Sequence, residues 1–241
     1  MNNNYKVIKM NNIIIIPAYN ESGNIVKTVE DIRANSKEFD YIIVNDCSQD
    51  NTLEICRDNN YNYLNLPINL GIGGAVQAGY RYAYYHGYDT AVQFDGDGQH
   101  DARYLTDLLG CLNNSESDMV IGSRFIKKEG FQSSSIRRVG IRYFTFLIKL
   151  LTGTTITDPT SGMRIVNRKL MKDFTFDYPK DYPEPESTVD ALTRGYKIAE
   201  VPVKMREREE GESSISPLKA VYYMIKVSLA ILIAKIKGGK K

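Results

Sequence analysis

Asp95-Gly96-Asp97 sets two carboxylates one glycine apart, a spacing at which both can face one hard cation. Mg²⁺ takes one or two carboxylates and completes its shell with water and substrate phosphate oxygens, so the pair suits a cation shared with a diphosphate. Aspartate and glycine are also ordinary turn residues, and the tripeptide alone is equally compatible with a plain turn. Its setting separates the two readings. It follows the apolar run Thr90-Ala91-Val92-Gln93-Phe94, and polar residues follow two earlier runs as well: Pro17-Ala18-Tyr19-Asn20-Glu21 after Ile13–Ile16, and Asn45-Asp46 after Tyr41–Val44. In an open α/β sheet, ligands bind beyond the carboxyl ends of the strands, so these three loops are expected to converge.

The elements that must position them read as follows. The short apolar runs suit parallel strands covered on both faces. Between them lie helical patterns: Ile25, Val29 and Ile32 behind a candidate cap at Ser22, then Val76, Gly79, Tyr80 and Ala83, and a helix near Leu105–Leu112 before the strand Met119-Val120-Ile121. This alternation predicts a doubly wound, mostly parallel α/β sheet with helices on both faces. Beyond Gly122 the alternation breaks down into a loop-rich stretch holding Arg124, Arg137, Arg138 and the turn Asp158-Pro159-Thr160-Ser161-Gly162, before the strand-like Ala199–Val203. Gly71-Ile72-Gly73-Gly74 invites a phosphate-binding reading. It follows the third strand rather than the first and lacks the third glycine of the dinucleotide fingerprint, so it reads as a tight turn near the donor site.

Composition bounds the rest. The 241 residues, 42% hydrophobic and 25% charged, suit an ordinary globular protein. Lysine and arginine (31) nearly balance aspartate and glutamate (29), which leaves no electrostatic footprint for nucleic acid. Three cysteines without CxxC spacing and two histidines make a poor zinc set and suit a reduced compartment. Met1–Asn12 lacks the apolar core of a signal peptide, so a cytoplasmic chain is expected.

The chain resembles a family-2 glycosyltransferase of the GT-A fold. The pieces that match are Pro17-Ala18-Tyr19-Asn20-Glu21; Val44-Asn45-Asp46 with Ser48, Asp50 and Thr52; Asn69–Ala75; Asp95–His100; Gly122-Ser123-Arg124; Asp158–Gly162 with Arg164; and Arg208–Ser213. Their order and spacing cover nearly the whole chain to Ser214. Within the family it is most similar to dolichyl- and polyprenyl-phosphate sugar synthases, whose pattern continues past the second aspartate to a glutamine, here Gln99. Asn45 and Cys47 depart from the usual Val-Asp-Asp-Gly-Ser pattern. The resemblance implies that Pro17, Ala18, Tyr19, Glu21, Asp46, Gly71, Asp95 and Gly96 hold the nucleotide sugar, and that Asp95, Asp97 and Gln99 hold Mg²⁺ or Mn²⁺ on the diphosphate. The plain alternatives are that Tyr19 packs and that Glu21 caps the following helix.

The arginines bear on the acceptor. A lipid phosphate needs no general base but needs cations beside a charged diphosphate. Arg124 and Arg208, with Asp97, are expected at the catalytic centre, and Arg137, Arg138 and Arg124 on the acceptor phosphate; the pair Arg137-Arg138 reads equally as solvated surface. A hydroxyl acceptor in polysaccharide or cell-wall assembly would instead need a base, with Glu186 or Asp190 as candidates in the segment where related enzymes keep a carboxylate; that segment otherwise reads as a rigid acidic loop. A non-catalytic nucleotide-sugar binding subunit is the remaining alternative.

The last pattern starts at Pro217 and stops at Lys237 before Gly238-Gly239. Leu218, Val221, Tyr222, Ile225, Leu229, Leu232, Ile233 and Ile236 fall on one stripe, bordered by lysines, as in a helix lying in a membrane interface. The uncharged run Val227–Ala234 is too short to span a bilayer. Met224, Val227 and Ile231 lie off the stripe, which calls for a protein neighbour too: the catalytic domain, a second copy or a small transmembrane partner. The expected organisation is a GT-A catalytic domain over 1–214, with a nucleotide-sugar half to about 122 and an acceptor half over about 123–214, and an associating helix over 215–241. The expected activity is inverting, metal-dependent transfer of a hexose or N-acetylhexosamine from a UDP-sugar to polyprenyl phosphate at the inner face of the cell membrane.

Overall fold

The computed structural model describes residues 11–131, 135–206 and 217–238. The chain runs β1 (Asn12–Ala18), α1 (Ile25–Asn35), β2 (Phe39–Asn45), α2 (Thr52–Asp58), β3 (Tyr63–Asn65), α3 (Gly71–Tyr85), β4 (Thr90–Gln93), α4 (Leu105–Asn114), β5 (Met119–Ser123), α5 (Ser135–Thr152), β6 (Arg164–Asn167), α6 (Arg168–Phe176), α7 (Pro183–Thr193), β7 (Ile198–Pro202) and α8 (Pro217–Gly238). The strands form one sheet in the order β3-β2-β1-β4-β6-β5-β7. All pairings are parallel except those of β6, which runs antiparallel to both β4 and β5.

Burial on both faces explains the unbroken isoleucine run of β1. Ile13 and Ile15 face one core, with side chains of α3, α5, α6, α7 and α8, while Ile14 and Ile16 face the other, with α1, α2 and α4. With period-two alternation, both sets must be apolar.

Three elements differ from the sequence reading. The stretch after Gly122 is not mainly loop: it contains the 18-residue helix α5 and the strand β6. The acidic segment before Glu186 is partly helical, because Pro183 opens α7 at a position where its missing N–H and fixed φ cost nothing. Helix α1 starts behind Asn24 rather than Ser22. The Ser22 amide is held by Asp50 Oδ2 (3.1 Å), and the Glu21 carbonyl accepts the amides of Asn24 and Ile25.

The reversed strand has a direct consequence. Gln93 is paired with Arg164, so the turn Asp158–Gly162 preceding β6 arrives at the carboxyl end of β4. A parallel strand in that place would bring its preceding turn to the opposite edge of the sheet.

Helix α8 packs against α7 and α5 and contributes Val227, Ile231 and Ala234 to the core. The neighbour that the off-stripe residues required is therefore within this chain. The stripe faces outward: Tyr222, Ile225, Leu229, Leu232, Ile233 and Ile236 are all exposed, and the side chains of Leu218 and Val221 lie outside the described residues. Among the described residues, no helix is long and apolar enough to cross a membrane.

Close packing of α3 on β1 generates a stability test. A Cβ on Gly79 would lie 2.2 Å from Ile15 Cγ2, in a core without slack. Gly79→Val should destabilise the fold by about 1–3 kcal/mol. Thermal denaturation should show this as a drop of about 2–4 °C per kcal/mol; an unchanged Tm would contradict the packing described.

Candidate active site

The loops after β1 and β2 are stitched into one surface. The Asn20 amide donates to Ser48 Oγ (3.0 Å), Asn20 Oδ1 accepts the Gln49 amide (2.8 Å), and the Glu21 amide donates to Thr52 Oγ1 (2.9 Å). Asn20 and Cys47 both hold left-handed backbone, φ 58°. Asparagine tolerates this conformation; a cysteine there carries a cost of about 1–2 kcal/mol, and it stands where the family pattern has glycine. Asn45 is buried and structural, donating to Asn65 Oδ1 (2.7 Å) and accepting from Ser48 (2.5 Å). Asp46 accepts the Leu70 amide at 2.7 Å and so fixes the turn into Gly71, whose φ of 74° suits glycine.

These loops and the one after β4 enclose a cleft of about 390 Å³, within the range of small-molecule sites. Pro17, Ala18, Tyr19, Glu21, Asp46, Gly71, Asp95 and Gly96 all line it, as do Asp97, Asn69, Ile72, Ala75 and Glu184. Tyr19 is 45% exposed and therefore not a packing residue. Five of the lining side chains are carboxylates, and no lysine, arginine or histidine among the described residues lines the cleft.

The carboxylates are held by polar neighbours. The Asp95 amide donates to His100 Nδ1 (3.0 Å), and His100 Nε2 lies 3.5 Å from Asp95 Oδ2. His100 itself is buried edge-on against Phe94, at 5.1 Å between centroids. Asp97 Oδ1 accepts the Gln99 amide (3.1 Å), and the Gln99 carbonyl accepts the Arg206 amide (2.8 Å). Arg206 also pairs with Asp31 (3.1 Å) and Asp101 (3.4 Å), anchoring the chain beside this loop. Arg208 lies outside the described residues.

Gly162 explains the Asp158–Gly162 motif. A Cβ there would meet Asp95 Oδ2 at 2.4 Å, so any larger residue would displace that carboxylate from its place against the turn. Gly73 has a similar task rather than a phosphate-binding one: its Cβ would lie 2.1 Å from the Pro179 carbonyl oxygen, and its amide donates to the Lys180 carbonyl (3.2 Å).

Arg124, Arg137 and Arg138, expected at the acceptor phosphate, do not line the cleft. Arg124 is buried and grips Asp158 through two bonds, Nε to Oδ2 at 2.6 Å and Nη2 to Oδ1 at 2.7 Å, with Thr160 Oγ1 at 3.0 Å. It braces the turn that carries Gly162. Arg137, exposed, and Arg138, half-exposed, sit on α5, and neither lines the cleft. Glu186 faces a groove between α7 and α8 with Lys226, Lys237 and Asp190; burial, with Asp181 nearby and Lys237 opposing, pushes its carboxyl up. The carboxylate that this segment gives the cleft is Glu184, to which the sequence reading gave no role; it likewise gave none to Gln93, nor to His100 and the buried Arg164, although both fell within the matched motifs. Arg164 carried one signal, a cation inside the apolar run Met163–Val166.

The donor set suits a hard divalent cation. Among the described residues no group of three His, Cys, Asp or Glu side chains can hold a metal alone, so a cation on Asp95 and Asp97 takes its other ligands from a substrate or water.

Residues 13–175 match the model of glycosyl transferase family 2. The chain is 31% identical over 213 residues to an undecaprenyl-phosphate mannosyltransferase of Micrococcus luteus, spanning 85% of this chain and 87% of that one. It is 32% identical to a UDP-N-acetylglucosamine–dolichyl-phosphate N-acetylglucosaminyltransferase of Methanococcus voltae, over 79% and 84% of the two chains. A glucosyl-3-phosphoglycerate synthase of Mycobacterium tuberculosis, solved with Mn²⁺, UDP and its product, superimposes with a TM-score of 0.73 over 94% of this chain and 80% of that one; at 18% identity the likeness is one of fold, the GT-A fold. The chain therefore belongs to glycosyl transferase family 2, and within it is similar to transferases named for polyprenyl and dolichyl phosphates.

Proposed function

We propose that the chain transfers a hexose or N-acetylhexosamine from a nucleotide diphosphate sugar, with UDP as the nucleotide, to a polyprenyl phosphate such as undecaprenyl phosphate. The observation that carries the donor half is the carboxylate lining of the cleft. A diphosphate enters such a lining only with a divalent cation between the like charges. The acceptor half rests on the shared lipid-phosphate names of the relatives.

Tyr19, Glu21 and Asp46 would hold the nucleoside, and Asp95 and Asp97, with Gln99 beside them, would hold Mg²⁺ or Mn²⁺. Bound there, the ion supplies positive charge to the departing diphosphate. A lipid phosphate oxygen forms the new bond to the anomeric carbon from the face opposite the diphosphate. The bond from that carbon to the diphosphate oxygen breaks, releasing the nucleoside diphosphate with inversion. A phosphate acceptor arrives ionised, so no side chain has to take its proton; Arg208, Arg137 and Arg138 are the cations proposed to receive it. Arg124 contributes by bracing the Asp158–Gly162 turn against Asp95.

The outward faces of α8 and α5 supply the membrane contact. Ile225, Leu229 and Ile236 on α8, and Val139, Phe146 and Leu150 on α5, are all more than half exposed, beyond what isolated surface residues explain. Lys226 and Lys237 border the α8 face, as suits anionic headgroups on the inner side of a cell membrane.

Incubation with undecaprenyl phosphate, Mn²⁺ and a panel of UDP- and GDP-hexoses should yield an acid-labile lipid-linked sugar from at least one donor. Glu186→Gln should retain that activity within a few-fold, whereas a lost general base costs about 10²–10⁴-fold. No lipid product from any donor would refute the acceptor assignment. In vesicle flotation, Ile225→Asp combined with Ile236→Asp should release the protein from anionic vesicles without altering nucleotide binding. Unchanged flotation would refute the docking face.

A further inference from the structure

Glu184 stands in the first turn of α7 and lines the cleft beside Asp95. Its carboxyl is fixed from two directions. Gln93, fully buried on β4, donates through Nε2 to Glu184 Oε1 at 3.1 Å and to Asp95 Oδ1 at 3.4 Å. The orientation of that amide is set from behind, because the buried Tyr178 hydroxyl donates to Gln93 Oε1 (3.4 Å), leaving the NH₂ for the two carboxylates. Arg164, fully buried, holds the backbone: Nη1 donates to the Glu184 carbonyl (3.0 Å) and Ser187 Oγ (3.0 Å), while Nη2 donates to the Ser161 carbonyl (2.6 Å). The start of α7 and the turn carrying Gly162 are thus tied by one guanidinium, and both abut Asp95.

An acceptor-only group presented to a cleft takes either a cation or a hydrogen-bond donor. The cation is disfavoured, since Glu184 does not complete a three-ligand metal group with Asp95 and Asp97. A diphosphate has no donor to offer and is repelled. Under the proposed function the base and ribose are assigned to Tyr19, Glu21 and Asp46. What remains is the hexose, whose hydroxyls are donors and which is attached just beyond the diphosphate.

We propose that Glu184 is a sugar-specificity residue, accepting hydrogen bonds from hydroxyls of the donor hexose while Gln93 and Arg164 hold it in place. The inference rests on the nucleotide-sugar reading of the cleft. Such charged hydrogen bonds are made only to the sugar, so their loss separates nucleotide-sugar affinity from nucleoside diphosphate affinity.

The test is calorimetric binding of UDP, and of the nucleotide sugar turned over best, to the full chain with Mn²⁺. Glu184→Gln keeps the shape and a partner for Gln93; it should bind UDP within about twofold of the parent and the nucleotide sugar about tenfold or more weakly. A deoxy-sugar donor lacking the contacted hydroxyl should bind the parent chain with the same loss and lose little more on the variant. Glu184→Asp, which retains the charge but withdraws it by one methylene, should fall between. Equal loss of UDP and nucleotide-sugar affinity would overturn the proposal in favour of a structural or metal-holding role. Turnover slowed by about a hundredfold or more, at unchanged donor affinity, would overturn it in favour of a general base. Failure of the parent chain to bind UDP with Mn²⁺ would overturn the donor-site reading itself, and this inference with it.

Discussion

Repulsion among carboxylates gathered at the carboxyl ends of β1, β2 and β4 is the constraint on which the rest of the structure depends. Two like charges about 4 Å apart repel by ~4 kcal/mol at an effective dielectric of about 20. Glu21, Asp46, Asp95, Asp97 and Glu184 share one cleft, and amides orient several of their oxygens: the Leu70 amide on Asp46, the Gln99 amide on Asp97, and the Gln93 side-chain amide on Glu184 and Asp95. Under the proposed function, a cation arriving with the substrate would relieve that repulsion.

Two guanidinium groups stand one layer back from the cleft. Arg124 and Arg164 are both buried, and neither lines the cleft. Arg124 braces the 158–162 turn through Asp158, and Arg164 ties that turn to α7 through the Ser161 and Glu184 carbonyls. Glu200 completes the layer by accepting the amides of Thr157 and Asp158 (2.7 and 2.9 Å). This framework exists because β6 runs antiparallel and delivers its preceding turn to the substrate end of the sheet. Burial, reinforced by Asp95 and opposed by Arg164, pushes the Glu184 carboxyl above the usual range, the expected response of a carboxyl crowded on all sides but one.

The lining of the cleft was legible in the sequence because its pattern is local. Pro17–Glu21, Asp46 and Asp95–Asp97 follow apolar runs with strand periodicity, and strand ends are where such a sheet keeps its ligands. The second half was harder, because its roles depend on partners far along the chain. Nothing within a few residues of Arg124 indicates that Asp158 will neutralise it, so the sequence alone points to a phosphate clamp. Glu184 and Glu186 are both acidic in a proline-rich segment, and only the helical turn opened by Pro183 decides which one faces the cleft. Strand β6, four residues with an arginine at its start, carries too weak a periodic signal to read as a strand. For α8 the pattern gave the helix and both apolar sides, but which side would pack was a tertiary matter: the smaller set, Val227, Ile231 and Ala234, fits against α5 and α7, and the larger stripe is left outward.

The two halves of the proposed function meet at the cation that would bridge the carboxylates of the cleft and a diphosphate. Calorimetric titration of UDP into the full chain, with Mn²⁺ and then with excess EDTA, tests this directly. The account predicts tight binding with the metal and binding weaker by on the order of 10²-fold or more without it, as repulsion of ~3–4 kcal/mol requires. Equal affinity in the two conditions would contradict it.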